Sequence, residues 1–240
     1  MSLSIVIPVH NEVRQLKITI KKLLTLKKKI NFEIIFIDDF SFDGSYELIK
    51  KFQKKSNLIK VFKNPKKGLG SAIQTGIKKS KKIYLCVFMC DLSDDVNDIE
   101  RYYKTIKQDK KLDAVLGTRF SKDSKVSNYP FFKLFLNRIA NNVIKLIFFS
   151  DFNDFTNAFK IYKRKTLVQF LPIVSENFNV FLELPLKIIT RNYFYKVISI
   201  NWKGRTIGES KFKIKEMSSM YIFTLLYCLF EKILLNKKHR

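Results

Sequence analysis

The sequence has few of the residues that form disulfide bonds or bind zinc. Its 240 residues include three Cys and two His. The cysteines, Cys86, Cys90 and Cys228, form no C-x-x-C pair. This pattern argues against a disulfide framework and against a Cys/His zinc site. Cys86 and Cys90 lie in an apolar run, so both are predicted to be core residues.

Glycine and proline are also scarce, with 7 and 5 residues, whereas 46% of the chain is hydrophobic. Disordered chains have low hydrophobicity, so this composition predicts a folded protein with a sizeable core. No repeat or low-complexity linker divides the chain. The first residues carry no basic leader or cleavage site, so we expect a location in the cytosol or on the cytosolic face of a membrane.

Acidic residues are the minority charge: 46 basic and 21 acidic residues give a net charge of +25. Such a surface attracts nucleic acid, anionic lipid or phosphorylated ligands. The basic residues are scattered, so a solvated face without a specific partner is an equal alternative. A nucleic-acid-binding protein remains a remote alternative, because no helix-turn-helix, RNA-recognition or zinc signature is present.

The first half alternates apolar runs with segments of helical periodicity. Predicted strands cover residues 4–9, 32–37, 58–62, 83–89 and 114–117, and predicted helices cover residues 12–26, 45–55, 71–79 and 96–108. Continuous apolar strands alternating with helices indicate a mostly parallel sheet covered on both faces. The sequence therefore predicts an α/β, Rossmann-like fold.

The second half is less regular. We predict a helix over residues 131–149, strands over 158–162 and 197–202, and a C-terminal amphipathic helix within 216–240, after a main domain over 1–215. A membrane span needs about 20 apolar residues, and Glu231 and Lys232 interrupt the tail after about eleven. An interfacial helix fits this pattern. A helix docked on the core, or a dimer contact, is the alternative.

Polar residues follow each predicted strand, and in an open α/β sheet ligands bind beyond these strand ends. Asp39 and Asp91 directly end apolar runs, which in so basic a chain indicates a divalent cation or sugar hydroxyls as ligands. Asp43, Asp94 and Asp95 are interpreted instead as turn, capping or first-turn residues.

Four segments resemble the family 2 glycosyltransferases, which have the GT-A fold: residues 4–12 (SIVIPVHNE), 37–45 (IDDFSFDGS), 64–76 (NPKKGLGSAIQTG) and 90–95 (CDLSDD). Three more resemble dolichol-phosphate mannose synthases and their bacterial polyprenyl-phosphate relatives: residues 115–119 (VLGTR), 154–160 (DFTNAFK) and 205–211 (RTIGESK). The likeness covers most of residues 3–213.

The resemblance implies roles by position. Contacts to the base and ribose of a nucleotide-sugar fall on Pro8, His10, Glu12, Ile37 and Asp39, with Lys67 and Cys90 as further donor contacts. Asp91 with Ser93 would hold Mg²⁺ or Mn²⁺. The donor phosphate oxygens would be bound by Arg119, Arg205 and Lys211, and the phosphate of a lipid acceptor would be bound by Arg138.

The sequence departs from the family at two positions. Met89 stands where the first Asp of the usual D-x-D would be, so the metal would have fewer protein ligands. His10 replaces the usual aromatic residue and can still stack on a base. A degenerate transferase that only binds is a minor alternative.

The acceptor decides which residues are catalytic. A hydroxyl acceptor needs a general base, and Asp154 and Glu183 are the candidates, with a structural role as the alternative. A lipid phosphate is already ionised at neutral pH. The resemblance implies inverting transfer of mannose or glucose, from GDP-mannose or UDP-glucose, to a polyprenyl phosphate. We expect the enzyme to be peripheral on the cytosolic leaflet, on an anionic membrane surface. Transfer to a hydroxyl of a cell-surface glycan is the alternative. Asp91, Asp154 and Arg119 are the predicted catalytic residues.

Overall fold

A seven-stranded, mostly parallel sheet forms the centre of the computed structural model, which describes residues 2–205, 207 and 214–237. The strands are β1 (Leu3–Val9), β2 (Phe32–Asp38), β3 (Ile59–Lys63), β4 (Tyr84–Val87), β5 (Ala114–Thr118), β6 (Val126–Ser127), β7 (Lys160–Lys163), β8 (Tyr195–Ser199) and β9 (Trp202–Lys203). The sheet order is β3-β2-β1-β4-β7-β5-β8, and β6 and β9 pair as a separate ribbon.

Helices cover both faces of the sheet. They are α1 (Val13–Leu24), α2 (Ser45–Lys55), α3 (Leu69–Lys79), α4 (Val96–Gln108), α5 (Phe131–Phe148), α6 (Arg164–Val168), α7 (Val180–Thr190) and α8 (Ile214–Lys237), and a short 3₁₀ helix follows α1 at Thr25–Lys28. The predicted helices at 45–55 and 96–108 are confirmed at both ends. The predicted mostly parallel α/β fold is also confirmed.

Alternation along β1 shows why the sheet needs two layers of helices. Ile5 and Ile7 face a core shared with α1, α2 and α4, whereas Val6 faces a second core shared with α3 and α7. Successive side chains of a strand point to opposite faces, so every residue of such a strand is buried. This explains the continuous apolar runs in the sequence.

Strand direction gathers the polar segments at one edge of the sheet. β1, β2, β3 and β4 run parallel, and their carboxyl ends lie together at what we call the carboxyl edge. β7 is antiparallel to both β4 and β5. The chain therefore enters β7 at the carboxyl edge, which brings the residues before it, including Asp154, beside the end of β5.

Two parts of the second half differ from the sequence prediction. The strand expected over 197–202 is β8, which ends at Ser199, and Trp202 belongs to the β6–β9 ribbon instead. Helix α7 was not predicted. It is buried on all sides, so it has no apolar–polar periodicity to detect.

The C-terminal helix α8 packs against α7, and the two charges that interrupt its apolar run are both bound by other parts of the protein. Glu231 is paired with Arg191 at 2.5 Å, and Lys232 donates to the backbone oxygen of Phe148. Both charges therefore face the protein. Ser218–Leu235 is long and apolar enough to cross a membrane, by length and composition alone, and 11% of it is buried. The helix is thus apolar outward rather than polar on its exposed side.

Gly70 marks a close approach between the start of α3 and the segment before α7. A Cβ atom at Gly70 would lie 1.8 Å from the backbone oxygen of Ser175, and the Gly70 N–H donates to the backbone oxygen of Glu176. We expect Gly70→Ala to destabilise the protein by about 1–3 kcal/mol through overpacking, although Ala normally favours a helix. Denaturant unfolding measures this change, and a stabilised variant would contradict the close approach.

Candidate functional site

The first two strand ends are tied together at the carboxyl edge. The Asp39 N–H donates to the backbone oxygen of Val9, and His10 Nδ1 lies 2.6 Å from the backbone oxygen of Asp39. Pro8 and Ile37 are buried in the strands just before this junction. His10 is partly exposed at the rim of the carboxyl edge.

Asp39 is held by the loop after β3. Its carboxylate accepts from the side chain of Asn64 at 2.8 Å and from the backbone N–H of Gly68 at 2.9 Å. Asn64 was not predicted as a site residue and appeared in the sequence only as the first residue of the 64–76 segment. The neighbouring Lys67 is exposed on the same loop. Asp39 therefore shapes the loop that carries Lys67, in addition to any contact with ribose.

Glu12 and Arg205 lie 193 residues apart in sequence and are paired at the rim. Arg205 Nη2 donates to both carboxylate oxygens of Glu12 at 2.9 Å. The residues expected to contact nucleotide and phosphate therefore contact each other. The predicted phosphate ligand Lys211 lies outside the described residues.

Cys90 lies beneath this rim, and its expected contact with the donor is not supported by its orientation. Its thiol is buried and lies 3.9 Å from the hydroxyl of Thr19 on α1. Burial raises the pKa of the thiol, and so does the charge of Glu12. The side chain belongs to the core between β4 and α1, as its place in an apolar run also predicted.

Asp91 lies at the carboxyl edge on a sharp turn after β4. Its Oδ1 accepts from the backbone N–H of Ser93, and Leu92 between them has a φ of 56°, in the left-handed region. A non-glycine residue with such a φ is uncommon and often accompanies a functional turn. Met89 packs instead against the apolar core on the α3 side. Asp91 is partly exposed and is available to a ligand.

Asp94 is not the first-turn or capping residue that the sequence indicated. The cap of α4 is Asp95, whose side chain accepts from the backbone N–H of Asn97. Asp94 is 4% exposed, and its Oδ1 has no hydrogen-bond partner among the described residues. Burial, and then the charge of Asp91, raises the pKa of Asp94 to about 8.

Arg119 and Asp154 form a buried ion pair at the ends of β5 and β7. Arg119 donates to Asp154 through Nε at 2.8 Å and Nη2 at 2.7 Å, and its backbone N–H adds a third bond at 2.8 Å. Burial alone would lower the pKa of Arg119, but the Asp154 carboxylate raises it above its ordinary value. Asp154 is fully buried, so this geometry leaves it no route to an acceptor proton. Arg119 likewise has little surface left for donor phosphates.

Lys160 extends this buried charge group and was not singled out as a site residue in the sequence. Its Nζ donates to the backbone oxygens of Phe155 and Asn157. Burial lowers its pKa to about 7, against the charge of Asp154. Only its place in the DFTNAFK segment could have drawn attention to it.

Arg138 lies on α5 beside the buried pair. The guanidinium groups of Arg119 and Arg138 lie 5.3 Å and 5.6 Å from the ring centre of Phe120. Arg138 is exposed, unlike Arg119. It is therefore a cation at the rim that can meet an incoming anion.

Glu183, the other candidate base, is sealed in the interior. Its oxygens accept from the backbone N–H groups of Val174 and Ser175, and it pairs with Lys187 at 2.7 Å. Both Glu183 and Lys187 are buried. The pair fixes the segment before α7.

The acidic segment has the chemistry of a partial cation site. Asp91 offers an accessible carboxylate, and the buried oxygens Ser93 Oγ and Asp94 Oδ1 are without partners among the described residues. No group of three or more Asp, Glu, His or Cys ligands is present in the described part of the chain. Mg²⁺ keeps several waters and uses substrate phosphates, so these residues fit such an ion.

Comparisons with known proteins find relatives both in sequence and in structure. The profile of the family described as Glycosyl transferase family 2 matches residues 4–170. A dolichol-phosphate mannosyltransferase of Pyrococcus furiosus is 27% identical over 219 residues, 90% of this chain and 60% of that protein. An undecaprenyl-phosphate 4-deoxy-4-formamido-L-arabinose transferase of Photorhabdus laumondii is 25% identical over 234 residues, 94% of this chain and 67% of that protein. The chain thus spans about three fifths of the length of the first relative.

A solved structure shares the fold. Glucosyl-3-phosphoglycerate synthase of Mycobacterium tuberculosis, in complex with Mn²⁺, UDP and phosphoglyceric acid, superposes with a TM-score of 0.73 at 14% identity, covering 95% of this chain and 78% of that one. At this identity the match speaks for the fold alone. The GT-A fold expected from the sequence is confirmed.

Proposed function

The chain belongs to glycosyl transferase family 2, and from this membership we propose that it transfers a hexose from a nucleotide-sugar to the phosphate of a polyprenyl lipid. Two relatives that match most of the chain are named for transfer to dolichol phosphate and undecaprenyl phosphate. The proposal assigns the catalytic domain to residues 1–215 and a membrane-contacting helix to 216–240.

The choice of acceptor rests on one observation: the carboxylates of both candidate general bases are buried and hydrogen-bonded within the protein. Asp154 is bound on both oxygens by Arg119, and Glu183 is bound by two backbone N–H groups and Lys187. A hydroxyl acceptor needs a base within hydrogen-bond reach of its proton. A phosphate acceptor is already an anion at neutral pH and needs none. The geometry therefore favours a phosphate acceptor.

Helix α5 has the surface that a lipid-linked phosphate requires. Its exposed residues are mostly apolar and include Phe131, Phe132, Phe135, Ile139, Val143 and Leu146, with Lys133 and Arg138 among them. Its buried side is narrow and partly polar: Asn141 donates to the backbone oxygen of Asn137 and accepts from the N–H of Phe155. Exposed apolar patches of this kind mark membrane or partner contacts. Arg138 lies on the same helix, at the rim of the site.

Helix α8 adds a second apolar surface. Lys232 lies 5.2 Å from the ring centre of Phe149, which joins the ends of the two helices. The net charge of +25 supports attraction to an anionic bilayer. We place the enzyme on the cytosolic leaflet, with α5 and α8 toward the lipid.

The donor lies over the carboxyl edge in this proposal. The base of the nucleotide-sugar stacks on His10, and the Glu12–Arg205 pair lies beside the diphosphate. Asp91 and Ser93 would hold a divalent cation, Mg²⁺ or Mn²⁺, and such an ion would supply positive charge to a nucleoside diphosphate leaving group. Arg138 holds the acceptor phosphate so that one of its oxygens faces the anomeric carbon opposite the leaving group. In-line displacement then inverts the anomeric configuration.

The experiment that tests the proposal compares two lipids that differ only in the phosphate. We expect radiolabelled mannose or glucose to move from GDP-mannose or UDP-glucose into organic-extractable lipid with polyprenyl phosphate and Mg²⁺, and not with polyprenol. Transfer to polyprenol, or only to a water-soluble glycan, would show that a hydroxyl is the acceptor and that a base has been overlooked.

Arg138→Ala is expected to raise the KM for polyprenyl phosphate about 10-fold to 100-fold. The reason is the loss of a hydrogen bond to a charged group, which contributes about 1.5–3 kcal/mol. Binding of the nucleotide-sugar should not change. Lys145→Ala is the matched control, because it removes one positive charge two turns away on α5 and so has the same effect on general attraction to the membrane. Equal effects of the two variants would mean that Arg138 acts only through the overall charge.

A further inference from the structure

Two adjacent buried oxygens lack partners beside the residue assigned to the cation. Ser93 is 6% and Asp94 is 4% exposed, and neither Ser93 Oγ nor Asp94 Oδ1 has a hydrogen bond within the described ranges. Buried polar atoms are almost always bonded, and each exception requires an explanation such as an ion. A carboxylate left in this state is costly. The described residues therefore do not satisfy these two oxygens, and a bound ion would explain why they are buried.

The nearby cations do not complete it. Arg119 and Lys160 are close enough for their charges to act on Asp94. However, Arg119 directs two of its side-chain N–H groups to Asp154, and Lys160 donates to backbone oxygens. Neither bonds to Asp94. One carboxylate oxygen of Asp94 is therefore left open to a further cation.

After the turn that follows β4, Asp94 lies close enough to Asp91 for the two carboxylates to interact electrostatically. The left-handed Leu92 reverses the chain, and Ser93 N–H binds Asp91 Oδ1. Asp94 then forms a backbone bridge to Trp202 on the β6–β9 ribbon, which fixes its position. Ser93, Asp94 and Trp202 also line a cavity of about 540 Å³, which brings solvent to this segment.

We propose that Asp94 supplies the second carboxylate of the divalent-cation site, in place of the acid that Met89 removes. This inference rests on the proposed function. Asp91 and Asp94, with Ser93 Oγ between them, provide oxygen ligands for Mg²⁺ or Mn²⁺, and water and diphosphate oxygens complete the coordination. The acidic pair of this chain is thus D-x-x-D rather than D-x-D.

Binding of Mn²⁺ tests the assignment without measuring turnover. Free Mn²⁺ is followed by electron paramagnetic resonance, with MnCl₂ alone and with UDP or GDP added. We expect Asp94→Asn to weaken Mn²⁺ binding about 10-fold to 100-fold, the range for loss of a group that supports a metal. Asp95→Asn is the matched control: it removes the adjacent carboxylate, keeps a good helix cap, and should bind as the wild type does.

Restoring the missing acid gives a sharper test. In Met89→Asp/Asp94→Asn the family pattern returns, so Mn²⁺ affinity should recover to near the wild-type value. Trp202 is the single tryptophan of the chain; because it is bridged to Asp94, bound Mn²⁺ should quench its fluorescence in the wild type and much less in Asp94→Asn. If Asp94→Asn does not fold by circular dichroism, Asp94→Ser replaces it, since its smaller side chain leaves room for water.

Each outcome decides the inference. Wild-type affinity in a folded Asp94→Asn or Asp94→Ser variant overturns it, even if sugar transfer proceeds and the proposed function stands. Absence of Mn²⁺ binding to the wild type also overturns it. Conversely, Mn²⁺ binding that depends on Asp94, with no transfer to polyprenyl phosphate, supports the inference and counts against the proposed function only.

Discussion

Asp91→Ala is expected to lower kcat by about 10²-fold to 10³-fold, the effect of removing one main electrostatic contribution to a transition state. Asp91 is a partly exposed carboxylate after the end of β4, and position 89 holds an apolar residue that packs into the core. No acid two residues earlier can take over its contact with the cation. Initial rates measured over a range of Mg²⁺ concentrations should show a lower maximal rate and a higher Mg²⁺ requirement.

Asp95→Ala is the control for this substitution. Asp95 lies four residues further on, is exposed, and caps α4 through the N–H of Asn97. Its loss should cost about 1 kcal/mol of stability, as for other helix caps, and leave the Mg²⁺ dependence unchanged. If Asp91→Ala kept wild-type kcat at saturating Mg²⁺, Asp91 would not be a ligand of the cation that acts in the reaction.

Asp154→Leu is expected to destabilise the fold by about 3–5 kcal/mol, since breaking a buried ion pair on one side leaves an uncompensated charge. The variant would leave two buried cations, Arg119 and Lys160, near each other. Arg119→Met leaves Lys160 to offset Asp154, so it should cost less. The double variant Arg119→Met/Asp154→Leu should recover much of the loss, because apolar side chains of similar volume tolerate burial. Denaturant midpoints measure the series.

The pair Lys187–Glu183 serves as a comparison for this series. It is equally buried, and Glu183 is also held by the backbone N–H groups of Val174 and Ser175. Lys187→Met should therefore reduce stability without a specific change in the KM for either substrate. A double variant of Arg119 and Asp154 as unstable as the sum of its single variants would show that the two side chains are not coupled.

Local signals predicted the first half of the fold. Helix α2 begins at Ser45 because Asp43 accepts from the Ser45 N–H and Gly44 supplies the left-handed residue before it. Helix α4 begins after the Asp95 cap. Such signals lie within a few residues of each other, so they are readable in one sequence. The strand ends that carry Asp39 and Asp91 were found for the same reason.

The pairings within the site could not be predicted in this way. Arg119 and Asp154 are 35 residues apart, and Glu12 and Arg205 are 193 residues apart. Each was identified individually, but whether it faces a ligand or another charge depends on strand order. Asp94 was interpreted as a capping or first-turn residue because it precedes Asp95 in sequence. The two residues differ in burial, which the sequence does not show: Asp94 is buried and Asp95 is exposed. The antiparallel β7, which brings Asp154 to Arg119, has no signature in its short apolar run.

The inward charges of α8 alter what a bilayer would meet at this surface. On insertion scales, ionised side chains at a helix centre cost about 2.5–3.5 kcal/mol each, whereas Leu, Ile and Phe gain roughly 0.3–0.6. A hydropathy scan counts Glu231 and Lys232 against lipid contact, yet Arg191 and the Phe148 carbonyl satisfy them on the protein side. The outward side presents Met220, Ile222, Phe223, Leu226, Phe230, Ile233 and Leu234. When the two charges are left out of the sum, the free energy of transfer of this side into lipid is favourable, whereas including them makes it unfavourable.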